Sequence, residues 1–281
     1  MTGLVSNAAN VAYKTKRPMS AWRRISMGSW RPTGDSSVFV ELDLPVHHIL
    51  DSIHQHGGQT LPVNAVFSKM IAKAISTNEL TRQINSVVRS GAIYERQDID
   101  LFFHAVTTPD DLSGFKLKNP HESDLSKLAI EIDERVHAVR NGHDRTFHQV
   151  KGLFCLCPGW LSKLALDLTG FFSYTLNLNL SVLGVPRDAF GSIMVTNVGS
   201  LGIDGGFTII APYSRIPCVI AICSLQKKPL VETDASGQDI LAIRPVVRLG
   251  MTFDHRIVDG IHIAAFVKEM KRLSKEPQTW L

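Results

Sequence analysis

Apolar residues recur along this chain at two different periods, and the switches between them mark out its elements. Val63, Val66, Phe67, Met70, Ile71, Ala74 and Ile75 fall three and four positions apart, which predicts an amphipathic helix with one buried stripe. Leu125, Leu128, Ile132, Val136 and Val139 predict a second, with Ser123 or Asp124 as its N-cap and Gly142 beyond its end. Ile261, Ala264, Ala265, Val267, Met270 and Leu273 define a C-terminal helix, and His47 to His56 a short one stopped by Gly57-Gly58. Strands are expected at Val38 to Asp43, ended by Pro45, and at Asn85 to Ile93, Asp100 to Thr107, Ile193 to Thr196, Pro217 to Cys223 and Ile240 to Phe253. Helices and strands are mixed and no repeat is visible, so the pattern predicts an α/β fold.

Two stretches stand apart from this pattern. Residues 1–17 read as a flexible basic arm. Residues 146–190 hold Leu153-Phe154-Cys155-Leu156-Cys157 before Pro158-Gly159, then a run from Trp160 to Tyr174 dense in Leu and Phe but interrupted by Lys163 and Asp167. A buried helix is the plain reading of that run. A contact between copies or a membrane-surface patch is the sharper one.

Composition narrows the functional classes. The chain has 281 residues, 44% hydrophobic and 20% charged, which is the make-up of a packed domain rather than of a disordered chain. A net charge of +4, with no Lys/Arg run beside aromatic platforms, argues against nucleic acid as a partner. No run of 18 apolar residues predicts a transmembrane helix. Cys155, Cys157, Cys218 and Cys223 form no C-x-x-C pair, and Cys218 and Cys223 lie in apolar runs. Buried thiols in a reducing compartment, the cytoplasm, are expected. Gly199-Ser200-Leu201-Gly202 lacks the residues of a phosphate-binding loop.

The candidate chemistry centres on Phe253-Asp254-His255-Arg256-Ile257-Val258-Asp259-Gly260, which follows a predicted strand and precedes a predicted helix. Histidine is the side chain best suited to general-base work near neutral pH. Asp259 stands before Gly260, where a tight turn into the helix is expected, and a buried carboxylate there would need a cation such as Arg256 or a distant arginine. A satisfied strand-end histidine is the plain alternative. His47, Asp51 and His54 could share a helix face and hold zinc, but a solvated polar face is the simpler reading, and no metal is expected.

Asp254-His255-Arg256-Ile257-Val258-Asp259-Gly260 resembles the signature of the catalytic domain of 2-oxo acid dehydrogenase acyltransferases, whose His-x-x-x-Asp-Gly core also occurs in chloramphenicol acetyltransferase. Val195-Thr196-Asn197-Val198-Gly199-Ser200-Leu201-Gly202 resembles that family's Ile-Ser-Asn-Leu-Gly segment, and Met19-Ser20-Ala21-Trp22-Arg23-Arg24-Ile25 its arginine-rich start. The resemblance implies an α/β two-layer sandwich, a mixed sheet with helices, assembled as a homotrimer or a higher homo-oligomer. It implies coenzyme A as the acyl carrier. His255 would take a proton from a thiol, hydroxyl or amine acceptor, which then attacks acyl-CoA directly. Thr196, the family's Ser/Thr position, would donate to the oxyanion of the tetrahedral species from the neighbouring subunit. Asp259 would pair with Arg24 or Arg23, Asn197 would hold the loop by backbone hydrogen bonds, and Gly260 and Arg256 would support the turn.

Residues 18–281 are thus expected to be one acyltransferase catalytic domain with a hydrophobic insertion at about 146–190. Asp110-Asp111-Leu112-Ser113-Gly114 departs from the family's Gly-Leu-Ile/Val-Thr-Pro type segment, and neither a lipoyl nor a subunit-binding domain is seen, which points to an unusual acceptor. Two alternatives remain: a non-catalytic oligomeric scaffold on the same fold, and a membrane-surface lipid acyltransferase.

Overall fold

The computed structural model of the chain describes residues 21, 36–55, 62–89, 92–108, 111–141, 159–181, 184–234 and 236–281. Arg23, Arg24, Cys155, Cys157 and the basic arm lie outside the described residues. A six-stranded sheet is built from β1 (Ser37–Pro45), β4 (Leu101–Thr108), β5 (Asp111–Leu117), β6 (Ile193–Asn197), β7 (Cys218–Thr233) and β8 (Asp239–Asp254), in the order β1-β8-β7-β6-β4-β5. β6 runs parallel to β4 and β7, and the other neighbours are antiparallel. β2 (Ser86–Arg89) and β3 (Ala92–Glu95) form a separate hairpin where the sequence pattern suggested one strand.

The helices are α1 (His47–Gln55), α2 (Val63–Ser76), α3 (Leu125–Arg140), α4 (Gly159–Gly170) and α5 (Gly260–Lys275). Period-two alternation puts Leu42, Leu44, Leu101, Phe103, Ile193, Val195, Ile220, Leu249, Met251 and Phe253 on one sheet face. There they meet Ile49, Phe67, Met70, Phe266 and Leu273 from the helices in a single core, which is the two-layer sandwich. α2 corrects its own periodicity. It is buried almost all round rather than along one stripe, because α3 and α5 flank it. Lys69, caught in that burial, reaches out to the Ser123 carbonyl at 2.8 Å. Asp124 caps α3 by accepting from the Ser126 and Lys127 amides.

β7 and β8 run well past the rest of the sheet as a two-stranded ribbon. Beyond the Asn197–Ile222 rung β7 pairs only with β8, which is where Pro229, without an N–H, is tolerated. One face of this ribbon is bare and apolar: Val231, Leu241 and Ile243 are 69–74% exposed. Near its base Asp43 of β1 receives Arg248 and Lys228 at 2.7–3.0 Å. The Arg248 hydrogen bond outweighs burial and, with Lys228, holds this carboxyl at about 2 against an ordinary 3.8. A depressed carboxyl pKa contributes stability above the unfolded value and loses it as the pH falls towards the folded one. Wild type is therefore expected to lose urea resistance between about pH 4 and 2 more steeply than Asp43→Asn, and equal slopes would refute the assignment.

The run from Trp160 to Tyr174 is not one buried helix. α4 ends at Gly170 and a π-helical turn, Phe171–Thr175, follows. Leu164, Leu168, Phe171 and Phe172 face outward. Among the described residues no helix is long and apolar enough to cross a membrane, and no group of His, Cys, Asp and Glu is arranged to hold a metal ion.

Candidate active site

His255 follows the last residue of β8 in a tight turn that its neighbours enforce. Asp254 is buried and accepts from Ser36 Oγ at 2.7 Å, from the Arg256 amide at 3.0 Å and from the Arg256 guanidinium at 2.6–3.1 Å. Burial alone would raise its pKa, but these donors outweigh it and hold the carboxyl below its ordinary range. Its backbone carbonyl closes the turn by accepting from the amides of Ile257 and Val258, both at 3.0 Å. Ile257 and Val258 are buried in the core, whereas His255 and Arg256 face solvent, the His255 side chain 54% exposed.

Asp259, whose expected partners Arg24 and Arg23 lie outside the described residues, makes two contacts that are described. It is largely exposed and sits 3.4 Å from His255 Nδ1 through Oδ1. It also starts α5 in a capping box with His262, whose Nδ1 accepts from the Asp259 amide at 3.0 Å. No arginine pairs with it among the described residues; Arg256 serves Asp254 instead, and Arg23 and Arg24 lie outside them. Gly260 is not at a strained turn either. It is the first residue of α5, is absent from the positive-φ glycines, and a Cβ there would meet nothing within 4 Å.

Thr196 lies on β6 with Ala221 of β7 on one side and His104 of β4 on the other. Alternation turns it away from the helices, onto the opposite sheet face, where Phe102, Met194 and Val219 form a second, smaller buried cluster. Its hydroxyl has no hydrogen-bond partner among the described residues. Asn197 anchors the strand end: its Nδ2 donates to Asn64 Oδ1 at 2.6 Å and its Oδ1 accepts from the Ser200 amide at 3.0 Å. Gly199 is required next to it, since a Cβ would come within 2.5 Å of the Cys223 backbone. His104, which the sequence pattern did not single out, holds Nε2 3.3 Å from Met194 Sδ. Burial pushes its pKa down to about 4, so it is neutral beside Thr196. The signal available in the sequence was a lone histidine in an apolar strand, which is too common to be read.

Within one subunit the two candidate residues do not meet. The Asp254 amide donates to the Pro217 carbonyl, and the β7–β8 register continued by one step puts His255 level with Ile216. The β6–β7 register puts Ile216 level with Gly191, five residues before Thr196. At about 3.3 Å per residue and about 4.8 Å per strand, the two are separated by roughly 16 Å along the sheet and about 10 Å across it.

The mixed six-stranded sheet with helices on one face is a two-layer α/β sandwich, with the His255 turn at one end of the sheet and the Thr196 hydroxyl on the face away from the helices. Residues 188–281, which carry both Thr196 and His255, match the family described as 2-oxoacid dehydrogenases acyltransferase (catalytic domain). The resemblance seen in the sequence is thereby borne out. The lipoamide acyltransferase component of the branched-chain alpha-keto acid dehydrogenase complex of Bacillus subtilis is 26% identical over 225 residues, 80% of this chain and 42% of that protein. The dihydrolipoyllysine-residue acetyltransferase component of the pyruvate dehydrogenase complex of Mycobacterium bovis is 31% identical over 86 residues, 31% of this chain and 15% of that one. This chain thus spans less than half the length of either relative.

The fold is shared with solved structures over nearly the whole chain. A probable dihydrolipoamide acetyltransferase from Listeria monocytogenes superposes with a TM-score of 0.64 at 20% identity, covering 95% of this chain and 96% of that one. The Azotobacter vinelandii dihydrolipoamide acetyltransferase also gives 0.64, at 17% identity, with 99% and 98% covered. Its structural study concerns the role of a serine, a histidine and an asparagine four positions after that histidine.

Proposed function

We propose that this chain is a CoA-dependent acyltransferase whose active site is shared between neighbouring subunits. The observation that carries the reading is the pair of an exposed His255 and a Thr196 hydroxyl without a hydrogen-bond partner among the described residues, neither able to reach the other within one chain. Asp259, near His255 Nδ1, fixes the ring so that Nε2 faces the site as the base. Asp259 stands at the spacing of the Azotobacter asparagine. The acceptor's proton passes to Nε2 as its thiol, hydroxyl or amine attacks the thioester carbon. The carbonyl oxygen becomes an oxyanion, to which Thr196 Oγ1 of a second subunit donates. Collapse expels CoA thiolate, which recovers the proton from His255. A homotrimer or higher homo-oligomer is the assembly this requires, with acyl-CoA and a small or carrier-bound acceptor as partners.

Two variants test the shared site together. Thr196→Ala is expected to lower kcat about 10²-fold, the typical loss for one oxyanion donor, while Thr196→Ser retains most of the activity. Mixing Thr196→Ala with His255→Ala subunits should restore part of the CoA-thiol release, because some boundaries then hold both native residues. Mixtures as inactive as either parent would defeat the shared arrangement.

A second reading is favoured by one observation, the outward-facing Leu164, Leu168, Phe171 and Phe172: the acceptor is a lipid at a membrane surface. Liposome flotation of the wild type against Leu168→Ser/Phe171→Ser decides it, since equal flotation removes the idea.

A further inference from the structure

Most arginines described here hold a carboxylate. Arg96 meets Asp188, Arg244 meets Glu232, Arg248 meets Asp43, Arg256 meets Asp254 and Arg272 meets Glu269. Arg215 does not. No carboxylate lies within 4 Å of its guanidinium among the described residues, and its Nε is buried without an acceptor. Its backbone is also left-handed, at φ 56°, a conformation uncommon for a long side chain. A strained backbone and an unsatisfied buried donor in one residue are features that tend to mark ligand sites.

Its position supports this. Continuing the β7–β8 register places Arg215 level with Arg256, one step beyond His255, and it walls a small cleft with Asp254 and Arg256. Behind it stands Gly170 of α4, where a Cβ would lie 3.9 Å from the guanidinium. Gly170 and Tyr213 line a second hollow of about 920 Å3, bordered by α4, the β2–β3 hairpin and residues 177–180 and 185–190. Arg215 itself does not line that hollow, but two arginines on its wall, Arg89 and Arg187, also lack carboxylate partners among the described residues, against one unpaired acid, Glu95. Arg89 is held in place by donating to the Thr175 carbonyl at 3.1 Å.

We infer that Arg215 recognises an anionic oxygen group, a phosphate or a carboxylate, on a substrate bound at the cleft it walls with Asp254 and Arg256, beside the His255 turn. A guanidinium with free N–H groups is suited to either oxyacid. The inference rests on the proposed acyltransfer only for the source of the anion: the phosphates of the CoA carrier, or a carboxylate on the transferred acyl group.

Arg215→Asn removes the guanidinium while keeping a residue that tolerates a left-handed backbone, so the fold is expected to survive. Calorimetric titration with inorganic pyrophosphate and with succinate should show binding of at least one to the wild type, weakened 10-fold or more in Arg215→Asn. No binding by the wild type, or equal binding by both proteins, overturns the inference. In the transfer assay, kcat/KM for acyl-CoA over acyl-pantetheine falls 10-fold or more in the variant if the phosphates are read. The ratio for succinyl-CoA over propionyl-CoA falls instead if a carboxylate is read, and neither ratio moving also overturns it. Arg215-dependent binding that persists where no His255-dependent transfer is found would sink the proposed reaction and leave this site standing.

Discussion

His255→Ala is expected to lower the rate of CoA-thiol release from acyl-CoA by about 10²–10⁴-fold, the usual contribution of a positioned general base. The loss should fall on kcat and leave KM for acyl-CoA nearly unchanged, because the imidazole acts on the acceptor's proton rather than on the donor. The turn should survive the change, since it is held by Asp254, Ser36 and the Arg256 guanidinium and not by the histidine side chain. A circular-dichroism melt superposable on wild type would confirm that. Asp259→Ala separates two roles. If Asp259 only caps α5, stability falls by about 0.5–2 kcal/mol and turnover per folded molecule is kept. If it orients the imidazole, turnover falls as well. Wild-type turnover in His255→Ala would end the acyltransferase mechanism.

Phe266→Ala is expected to cost about 3–5 kcal/mol of folding stability, the range for emptying a buried aromatic site. Phe266 is fully buried on α5 and packs edge-to-face on Phe253, with ring centroids 6.5 Å apart. Phe253 immediately precedes the Asp254–His255 turn, and α5 immediately follows it. The cavity therefore opens beneath the residues that aim the base. Guanidinium unfolding would read the loss directly, and Phe266→Leu should cost much less because it keeps most of the volume. A Phe266→Ala midpoint within error of wild type would show that this helix is not what seats the turn.

The helical periods at 63–75, 125–139 and 261–273 were legible because each helix repeats its apolar positions over several turns. The α/β class followed from their mixture with strands, while the two-layer sandwich was implied by the family resemblance. The His255 and Thr196 segments were legible because local motifs carry them. Other features depended on partners distant in sequence. Asn85 to Ile93 looked continuous because Val87, Val88 and Ile93 are all strand formers, and the hairpin is visible only in the Arg89–Ala92 pairing. The strand expected to end at Cys223 runs on to Thr233, where Lys228 is held by Asp43, far earlier in the chain. Asp259 was expected to be a buried carboxylate at a tight turn before Gly260. The turn instead sends Ile257 and Val258 inward and leaves Asp259 outside. Arg215 gave no signal at all, since a missing partner cannot be read from composition.

The ribbon of β7 and β8 has a consequence for handling the protein. Its nine rungs from Leu225 to Thr233 extend roughly 30 Å, with peptide groups along β7's outer edge and an oily face beside them. In the proposed oligomer, a subunit stripped of neighbours would offer that length as a template for any other extended strand. Dilution or mild acid is then expected to yield insoluble aggregates rather than a lasting pool of soluble monomers, and a lysine at Val231 or Ile243 should keep separated subunits in solution.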